Sequence, residues 1–268
     1  KAEDVSLLAR WTRVAGLPAV LDFAFAAAVR DTVAGNAGTE LLTRLFADDA
    51  LYEGGAATAL QLPTFISNHD FGRFAHFVQR MRPGISDDEA LGRVALAHAM
   101  LMTLRGVPTL YYGDEQGFAG LGGDQAARQD MFRSKVAEYN EAKLLGTEAT
   151  TADSNFDASH PLYRLIAELA SLRRNHAALR RGPQLVRRDS PKPGLFAVSR
   201  FDPESGREVL IAFNTSTKPA AGQVEVEADS QAFVPLRGSC ERQPAAPGSV
   251  RVSLAPLDFA ICAADTTP

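Results

Sequence analysis

The chain has 268 residues, of which 46% are hydrophobic and 22% are charged, and its formal net charge is −4. This composition is typical of soluble globular proteins and excludes collagen-like and intrinsically disordered chains. A small negative net charge provides no broad basic surface for phosphates. We therefore expect neither nucleic acid nor a membrane as a partner.

The apolar stretches are short. Residues 95–104, one of the longest, are interrupted by His98 and end at Arg105, which is too short a run to span a bilayer. The first residues, Lys1-Ala2-Glu3-Asp4, lack the pattern of a signal peptide, and a chain that begins partway through a protein would lack it anyway. The sequence thus predicts a soluble protein and leaves open whether it is secreted, periplasmic or cytoplasmic.

Two cysteines, Cys240 and Cys262, are compatible either with one disulfide bridge or with two buried thiols. A single pair indicates neither a disulfide scaffold nor a metal site.

The first two thirds of the chain alternate between strand and helix patterns. Residues 17–25 and 62–67 are apolar runs that predict buried strands, and a helix is expected at residues 26–33. Ser86, followed by Glu89, is a capping-box signature that begins a long helical pattern. Alternation of this kind predicts a parallel sheet covered by helices.

A further strand is predicted at residues 109–112, and a last amphipathic helix at 160–179. Beyond Gly182 the pattern changes to apolar or alternating runs at residues 196–201, 209–214, 224–226 and 250–261, separated by turn residues. We therefore predict two domains, an α/β unit in residues 1–182 and an all-β sandwich in residues 183–268.

Polar residues follow two of the predicted strands directly. Asn68-His69-Asp70 comes after one and Asp114-Glu115 after the other, while Asp22 lies inside a third apolar run. In parallel α/β folds the carboxyl ends of strands form the functional site. Such residues also cap helices and close turns, so their position alone leaves a structural role open.

Two segments carry a family resemblance. Leu62-Pro-Thr-Phe-Ile-Ser-Asn-His-Asp70 is similar to the end of the seventh barrel strand in the α-amylase family, and Arg105-Gly-Val-Pro-Thr-Leu-Tyr-Tyr-Gly-Asp-Glu115 resembles its eighth strand. The stretch from Asp124 to Met131 and the residues from His160 to Gly182 resemble the segments that follow. This resemblance implies the C-terminal part of a (β/α)8 TIM barrel, with about strands six to eight, followed by a β-sandwich domain.

By this resemblance, Asp70 matches the catalytic carboxylate that stabilises the transition state, and His69 matches a substrate-binding imidazole. Retaining glycosidases pass through an oxocarbenium-like state in which hydrogen bonds to ring hydroxyls strengthen. An ionised carboxylate suits this role because charge-assisted hydrogen bonds are about twice as strong as neutral ones.

Further substrate-binding candidates each have a structural alternative. Arg73 is expected either to pair with Asp70 beside the substrate or only to solvate the start of a helix. Asp124 and Arg128 line outer sugar subsites in one interpretation and form a surface ion pair in the other. The remaining polar and aromatic residues near the site are interpreted as structural: Tyr111, Tyr112, Asp114, Glu115 and His98.

The mechanism also needs a carboxylate nucleophile about 5 Å from a general acid. The family's segments for these two residues are not found here, and the resemblance places them, with the calcium ligands common in the family, before residue 1. No metal and no cofactor is expected in this chain. The parent protein is expected to be a retaining hydrolase or transferase of α-linked glucans or α-glucosides, and the chain alone is expected to be inactive. The alternative is a non-catalytic relative that binds a sugar or a protein partner.

Overall fold

The computed structural model describes residues 3–242 and 246–265. The first part of the chain is mainly helical. Its helices are α1 Val5–Arg13, α2 Phe23–Val29, α3 Glu40–Ala47, α4 Ala56–Ala59, α5 Phe74–Met81, α6 Asp87–Thr103, α7 Ala137–Asn140, α8 Pro161–Asn175 and α9 Ala177–Arg181. None of the helices in the described part is long and apolar enough to cross a membrane.

A short parallel sheet lies among these helices. Strands β1 (Pro63–Thr64) and β2 (Val107–Pro108) pair in parallel, and Asp22 adds a parallel bridge to Thr64 on the other side of β1. Three successive strand positions are therefore parallel neighbours in chain order, with α2 to α4 and then α5 and α6 as the connections. This is the arrangement of the C-terminal part of a (β/α)8 barrel, as predicted.

The strands are shorter than the apolar runs that predicted them. At the first position, α2 begins at Phe23, because the Asp22 carboxylate caps that helix and accepts the Phe25 amide at 2.9 Å. The predicted strand over residues 17–25 is therefore wrong beyond the single bridge at Asp22. The strand predicted at residues 109–112 is also displaced, since regular pairing ends at Pro108 and continues only through a bond from the Thr109 amide to the Thr64 carbonyl.

A buried cluster of three charged side chains holds the short parallel sheet to its surroundings. The Arg105 guanidinium binds the carboxylate of Asp22 and chelates that of Asp49, with Nε 2.8 Å from Asp49 Oδ2. Burial would lower the pKa of Arg105, but the two carboxylates outweigh it and raise that pKa above its ordinary value. The cluster ties Arg105, two residues before β2, to the start of α2 and to the 3-10 turn Asp48–Leu51.

Helix α6 begins where the sequence predicted. The Ser86 hydroxyl oxygen accepts the Glu89 amide at 3.2 Å. The Glu89 carboxylate pairs with Arg93, one turn later, with its Oε1 2.7 Å from Nη2. Only the serine half of the capping box is therefore observed.

From Gln184 onward the structure is a β-sandwich. Five antiparallel strands form one sheet in the order β3-β4-β5-β9-β7, and two form the other, β6-β8; their bounds are β3 Gln184–Arg188, β4 Leu195–Phe201, β5 Glu208–Asn214, β6 Ala220–Glu225, β7 Phe233–Arg237, β8 Ser249–Leu254 and β9 Phe259–Ala264. Two of these strands, β3 and β7, were not predicted. The run at residues 250–261 was predicted as one segment, but a turn divides it between β8 and β9.

The five-stranded sheet has two buried faces. Phe196, Val198, Ile211 and Phe213 belong to the same apolar core as the helical part, whereas the alternate residues pack against β6 and β8. Because successive side chains of a strand point to opposite faces, both faces require apolar residues, and β4 is continuously apolar over residues 195–198 and β5 over residues 209–213. The sandwich therefore packs tightly against the barrel part.

A disulfide and a buried arginine also stabilise the sandwich and its contact with the barrel part. Cys240 and Cys262 form a disulfide, which decides between the two alternatives left by the sequence. The buried Arg200 of β4 donates to the carbonyl oxygens of Thr103, at 2.7 Å, and Gly182, so it joins the sandwich to the end of α6. Burial lowers the pKa of Arg200 to about 9.

Candidate active site

His69 and Asp70 lie at the tip of a tight turn that follows β1. Asn68 and Gly72 form its base through two backbone hydrogen bonds, of 2.9 and 3.2 Å, in an isolated antiparallel bridge. Gly72 has φ of 106°, in the region that side chains rarely adopt, so the chain reverses there and enters α5. The sequence thus places His69 and Asp70 on a short, hydrogen-bonded loop.

The side chains at the tip face solvent. The exposed fractions of the His69 and Asp70 side chains are 52% and 63%, and His69 Nε2 lies 3.3 Å from Asp70 Oδ1. Within the described residues, this contact is the only hydrogen-bonding or ionic one that the Asp70 carboxylate makes. Its oxygens are therefore free to accept hydrogen bonds from a ligand.

Arg73 does not share that exposed position. Its side chain is fully buried, and Nη1 lies 2.9 Å from Asp114 Oδ1 and 2.8 Å from the carbonyl oxygen of Tyr112. Both interpretations of Arg73 must therefore be corrected, because it neither pairs with Asp70 beside the substrate nor faces solvent at the start of a helix. The physical reason is that the side chain of this residue turns inward at the start of α5, where Asp114 supplies a carboxylate shielded from water.

Aromatic rings surround the buried guanidinium. Arg73 Cζ lies 4.5 Å from the ring centre of Tyr111, 5.3 Å from that of Tyr112 and 5.1 Å from that of Phe118, all within range of cation–π attraction. Burial, with a hydrogen bond to Tyr112, raises the pKa of Tyr111 to about 12. Tyr111 is therefore neutral, and Asp114 is the anion that balances Arg73.

His98 of α6 completes this cluster. Its Nδ1 lies 2.8 Å from the Val94 carbonyl oxygen and must carry the proton. Its Nε2 then faces Asp114 Oδ2 at 4.0 Å, longer than a hydrogen bond, and has no hydrogen-bond partner. The prediction of a structural histidine agrees with its buried position in mid-helix.

A glycine loop lies beside the turn. A Cβ atom built on Gly123 would stand 3.5 Å from the Asp70 carbonyl oxygen, and one on Gly72 would stand 3.4 Å from the Gly122 carbonyl oxygen. Asp124, with φ of 50°, follows this loop and pairs with Arg128 at 2.9 Å on the surface. The surface ion pair is thus formed near the turn, and a role for these two residues in sugar subsites stays a prediction.

Sequence reasoning missed how the turn is held. Asn68 Oδ1 accepts the backbone amides of Asp70 and Phe71 at 2.9 and 2.6 Å, as in an Asx turn. An Asn two residues before a tip residue, with Gly two residues after it, is a signal that could have identified this arrangement. The partnership of Arg73 with Asp114, 41 residues away in the chain, has no local signal.

Comparison with known proteins identifies the family. Residues 2–182 match the model of the α-amylase catalytic domain. The chain belongs to the α-amylase family. It is 40% identical over 219 residues to an α-amylase of Streptomyces lividans, a match that covers 81% of this chain and 24% of that protein. It is 28% identical over 213 residues to a β/α-amylase of Paenibacillus polymyxa, with 80% of this chain and 15% of that protein covered.

Solved structures of α-amylases share the fold. An Anoxybacillus α-amylase aligns with a TM-score of 0.75 at 22% identity, covering 99% of this chain and 51% of that one. The α-amylase of Geobacillus thermoleovorans aligns with a TM-score of 0.74 at 19% identity, covering 99% of this chain and 52% of that one. The chain therefore spans about half the length of these α-amylases and a quarter or less of the two relatives above.

Proposed function

We propose that this chain is the C-terminal part of a retaining hydrolase or glucosyltransferase that acts on α-linked glucans or α-glucosides. Asp70 is assigned as the carboxylate that stabilises the transition state, and His69 as a residue that binds the sugar beside it. The observation that carries the proposal is the exposed His69–Asp70 pair at a strand end in a member of this family.

The arrangement suits an oxocarbenium-like transition state. The Asp70 carboxylate has no donor from the described residues except the His69 ring, so both oxygens can accept sugar hydroxyls. Hydrogen bonds of that kind become stronger as positive charge develops on the sugar ring. His69, with Nε2 3.3 Å from Asp70 Oδ1, is placed to contact the same sugar.

The longer protein is proposed to supply the other two carboxylates. A retaining mechanism needs a nucleophile and a general acid about 5 Å apart, and the family resemblance places neither in residues 1–268. The proposal includes both hydrolysis and transfer, because one relative is a cyclomaltodextrin glucanotransferase, from Geobacillus stearothermophilus. It is 34% identical over 119 residues, which cover 44% of this chain and 12% of that protein. Maltooligosaccharides are the proposed substrates, in line with AmyP, a neighbour in fold at 22% identity that was solved with maltose.

The test compares this chain alone with the same chain preceded by its encoded upstream sequence. Both are incubated with maltoheptaose, and proton NMR follows the anomeric configuration of new reducing ends. We expect α-configured products from the extended protein and no products from residues 1–268. An extended protein that binds maltoheptaose without cleaving or transferring it would contradict the proposal and favour the non-catalytic binding subunit.

A further inference from the structure

The carboxylate of Asp70 has almost nothing to hold it. Its side chain is 63% exposed, and its one polar contact among the described residues is with His69, which is itself half exposed. The direction of the carboxylate is therefore set by the backbone of the turn from Asn68 to Gly72. Whatever fixes the two ends of this turn decides where Asp70 points.

One end of the turn is fixed locally. Asn68 accepts the amides of Asp70 and Phe71, and its own backbone pairs with Gly72. These bonds shape the turn. The Phe71 ring packs edge-on against Phe77, at 4.9 Å, and Phe65, at 6.1 Å, and so attaches the turn to α5 and to the residues after β1. Neither contact reaches the segment that follows β2.

The other end is attached through Arg73, directly after Gly72. Its guanidinium reaches the segment that follows β2, where it binds Asp114 and the Tyr112 carbonyl oxygen. Nε and Nη2 of Arg73 have no hydrogen-bond partner, and the rings of Tyr111, Tyr112 and Phe118 surround the group. Arg73 Nη1 lies 2.9 Å from Asp114 Oδ1, whereas His98 Nε2 lies 4.0 Å from Oδ2, beyond hydrogen-bond range, so Arg73 is the direct partner of this buried carboxylate.

We propose that the buried Arg73–Asp114 pair is a positioning device for Asp70: it anchors the turn from Asn68 to Gly72 to the segment after β2 and so fixes the carboxylate against the substrate. Neither residue touches the substrate. Because an ion pair with a planar, ring-stacked guanidinium has one favoured geometry, it holds the turn more firmly than apolar packing would. The catalytic part of this inference rests on the proposed function, whereas the ordering of the turn does not.

The matched variants are Asp114→Asn and Asp49→Asn. Both variants remove one carboxylate charge that pairs with a buried arginine, with little change of shape. Asp49 pairs with Arg105, which precedes β2 in the chain, whereas Asp114 follows β2 and pairs with Arg73. Arg73→Lys keeps the charge and removes the planar stacking. It serves as a second variant should Asp114→Asn not fold.

The first readout is amide hydrogen exchange of the peptide spanning residues 66–74, followed by mass spectrometry in the chain with its encoded upstream sequence. In Asp114→Asn and Arg73→Lys we expect exchange of the turn to be about tenfold faster, after normalisation to a peptide of β5. Asp49→Asn should leave the exchange rate of the turn unchanged even where it lowers the melting temperature as much as Asp114→Asn does. Wild-type exchange of the turn in either folded variant would overturn the proposal.

The second readout separates positioning from stability in the active enzyme. Below the melting temperature of each variant, Asp114→Asn should lower kcat by about tenfold with little change in KM, since a displaced Asp70 loses contacts made in the transition state. An unchanged kcat would overturn the positioning role. If the enzyme with native residues has no activity, the proposed function fails, and hydrogen exchange alone decides whether the pair orders the turn.

Discussion

Asn68 Oδ1 accepts the backbone amide of Asp70 at 2.9 Å and so fixes the backbone of the residue assigned to catalysis, while the carboxylate itself stays exposed. The backbone of Asp70 is therefore fixed while its side chain is free. Replacing the carboxylate should alter the chemistry without altering the fold, and variants can test this.

Asp70→Asn removes the charge and keeps the shape. In the chain with its upstream sequence we expect kcat to fall by about a thousandfold or more, because the lost charge acts mainly in the transition state. The free energy of unfolding should change by less than about 0.5 kcal/mol, as for an exposed residue without buried partners. Asp229→Asn, an exposed aspartate in the sandwich, is the control for both measurements. Near-normal turnover of Asp70→Asn would show that the assignment is wrong.

Arg105→Met should destabilise the barrel part strongly. It leaves the carboxylates of Asp22 and Asp49 buried without their cation, a change that costs about 3–5 kcal/mol. The control is Arg44→Met, which breaks an exposed pair with Glu40, of 3.2 Å, and should cost less than about 1 kcal/mol. Urea unfolding measures both. Equal losses in the two variants would contradict the structural role of the buried cluster.

Stability should fall as the pH is lowered through the range of His160. This residue caps α8: Nδ1 accepts the Leu162 amide at 3.2 Å, and Nε2 donates to the Leu145 carbonyl oxygen at 3.0 Å. Burial lowers the pKa of His160 below its ordinary value. Since the unfolded chain binds the proton more readily, stability is complete above about pH 6.5 and is lost as the pH falls toward the folded-state pKa.

The test for His160 is the variant His160→Asn, which keeps a capping acceptor but does not titrate. We expect its urea midpoint to fall less between pH 7.5 and 5.5 than that of the unaltered protein. Contributions from carboxylates are common to both proteins and cancel in this comparison. Identical pH dependence would exclude His160 as the source.

The disulfide should stabilise the sandwich. Cys240 and Cys262 are 22 residues apart, and closing a loop of that length contributes about 3 kcal/mol in the chain-entropy model. We expect no free thiol in the denatured, unreduced protein, measured with a thiol reagent, and a lower melting temperature for the double variant Cys240→Ser and Cys262→Ser. Two reactive thiols in unreduced protein purified from its native host would contradict the bridge.

Residues 1–268 alone should self-associate. Large apolar side chains are exposed in α1, in the segment after it, and in and just after β2: Trp11, Val14, Leu17, Leu21, Val107 and Leu110. Exposed surfaces of this kind, with unpaired strand edges, drive association. Sedimentation velocity and hydrophobic-dye binding should show oligomers and bound dye, both reduced when the upstream sequence is present. A monodisperse monomer that binds no dye would contradict this expectation.

The sequence by itself determined the family, the order of the α/β part and the sandwich, and the position of His69 and Asp70 directly after a strand segment. These features depend on local patterns: apolar periodicity, the Ser86 cap, and contiguous motifs of known resemblance. It also predicted that Asp114 is structural, although it did not predict the partner. Local rules were sufficient wherever a residue's neighbours in the chain are also its neighbours in space.

Only the tertiary structure decided where the long-range partners lie. Arg73 follows the turn of His69 and Asp70 in sequence, yet its guanidinium binds Asp114 and not Asp70, because burial among three aromatic rings offers it a carboxylate shielded from water. The strand at residues 17–25 reduced to one bridge at Asp22, because that side chain caps α2 and binds Arg105. The pairing of Cys240 with Cys262 also required the packing of β9 to be known. The Asp22 cap of α2 is local, but the contacts of Arg73 with Asp114, of Asp22 with Arg105 and of Cys240 with Cys262 each join residues more than twenty apart, whose approach is fixed by the packing of the whole fold.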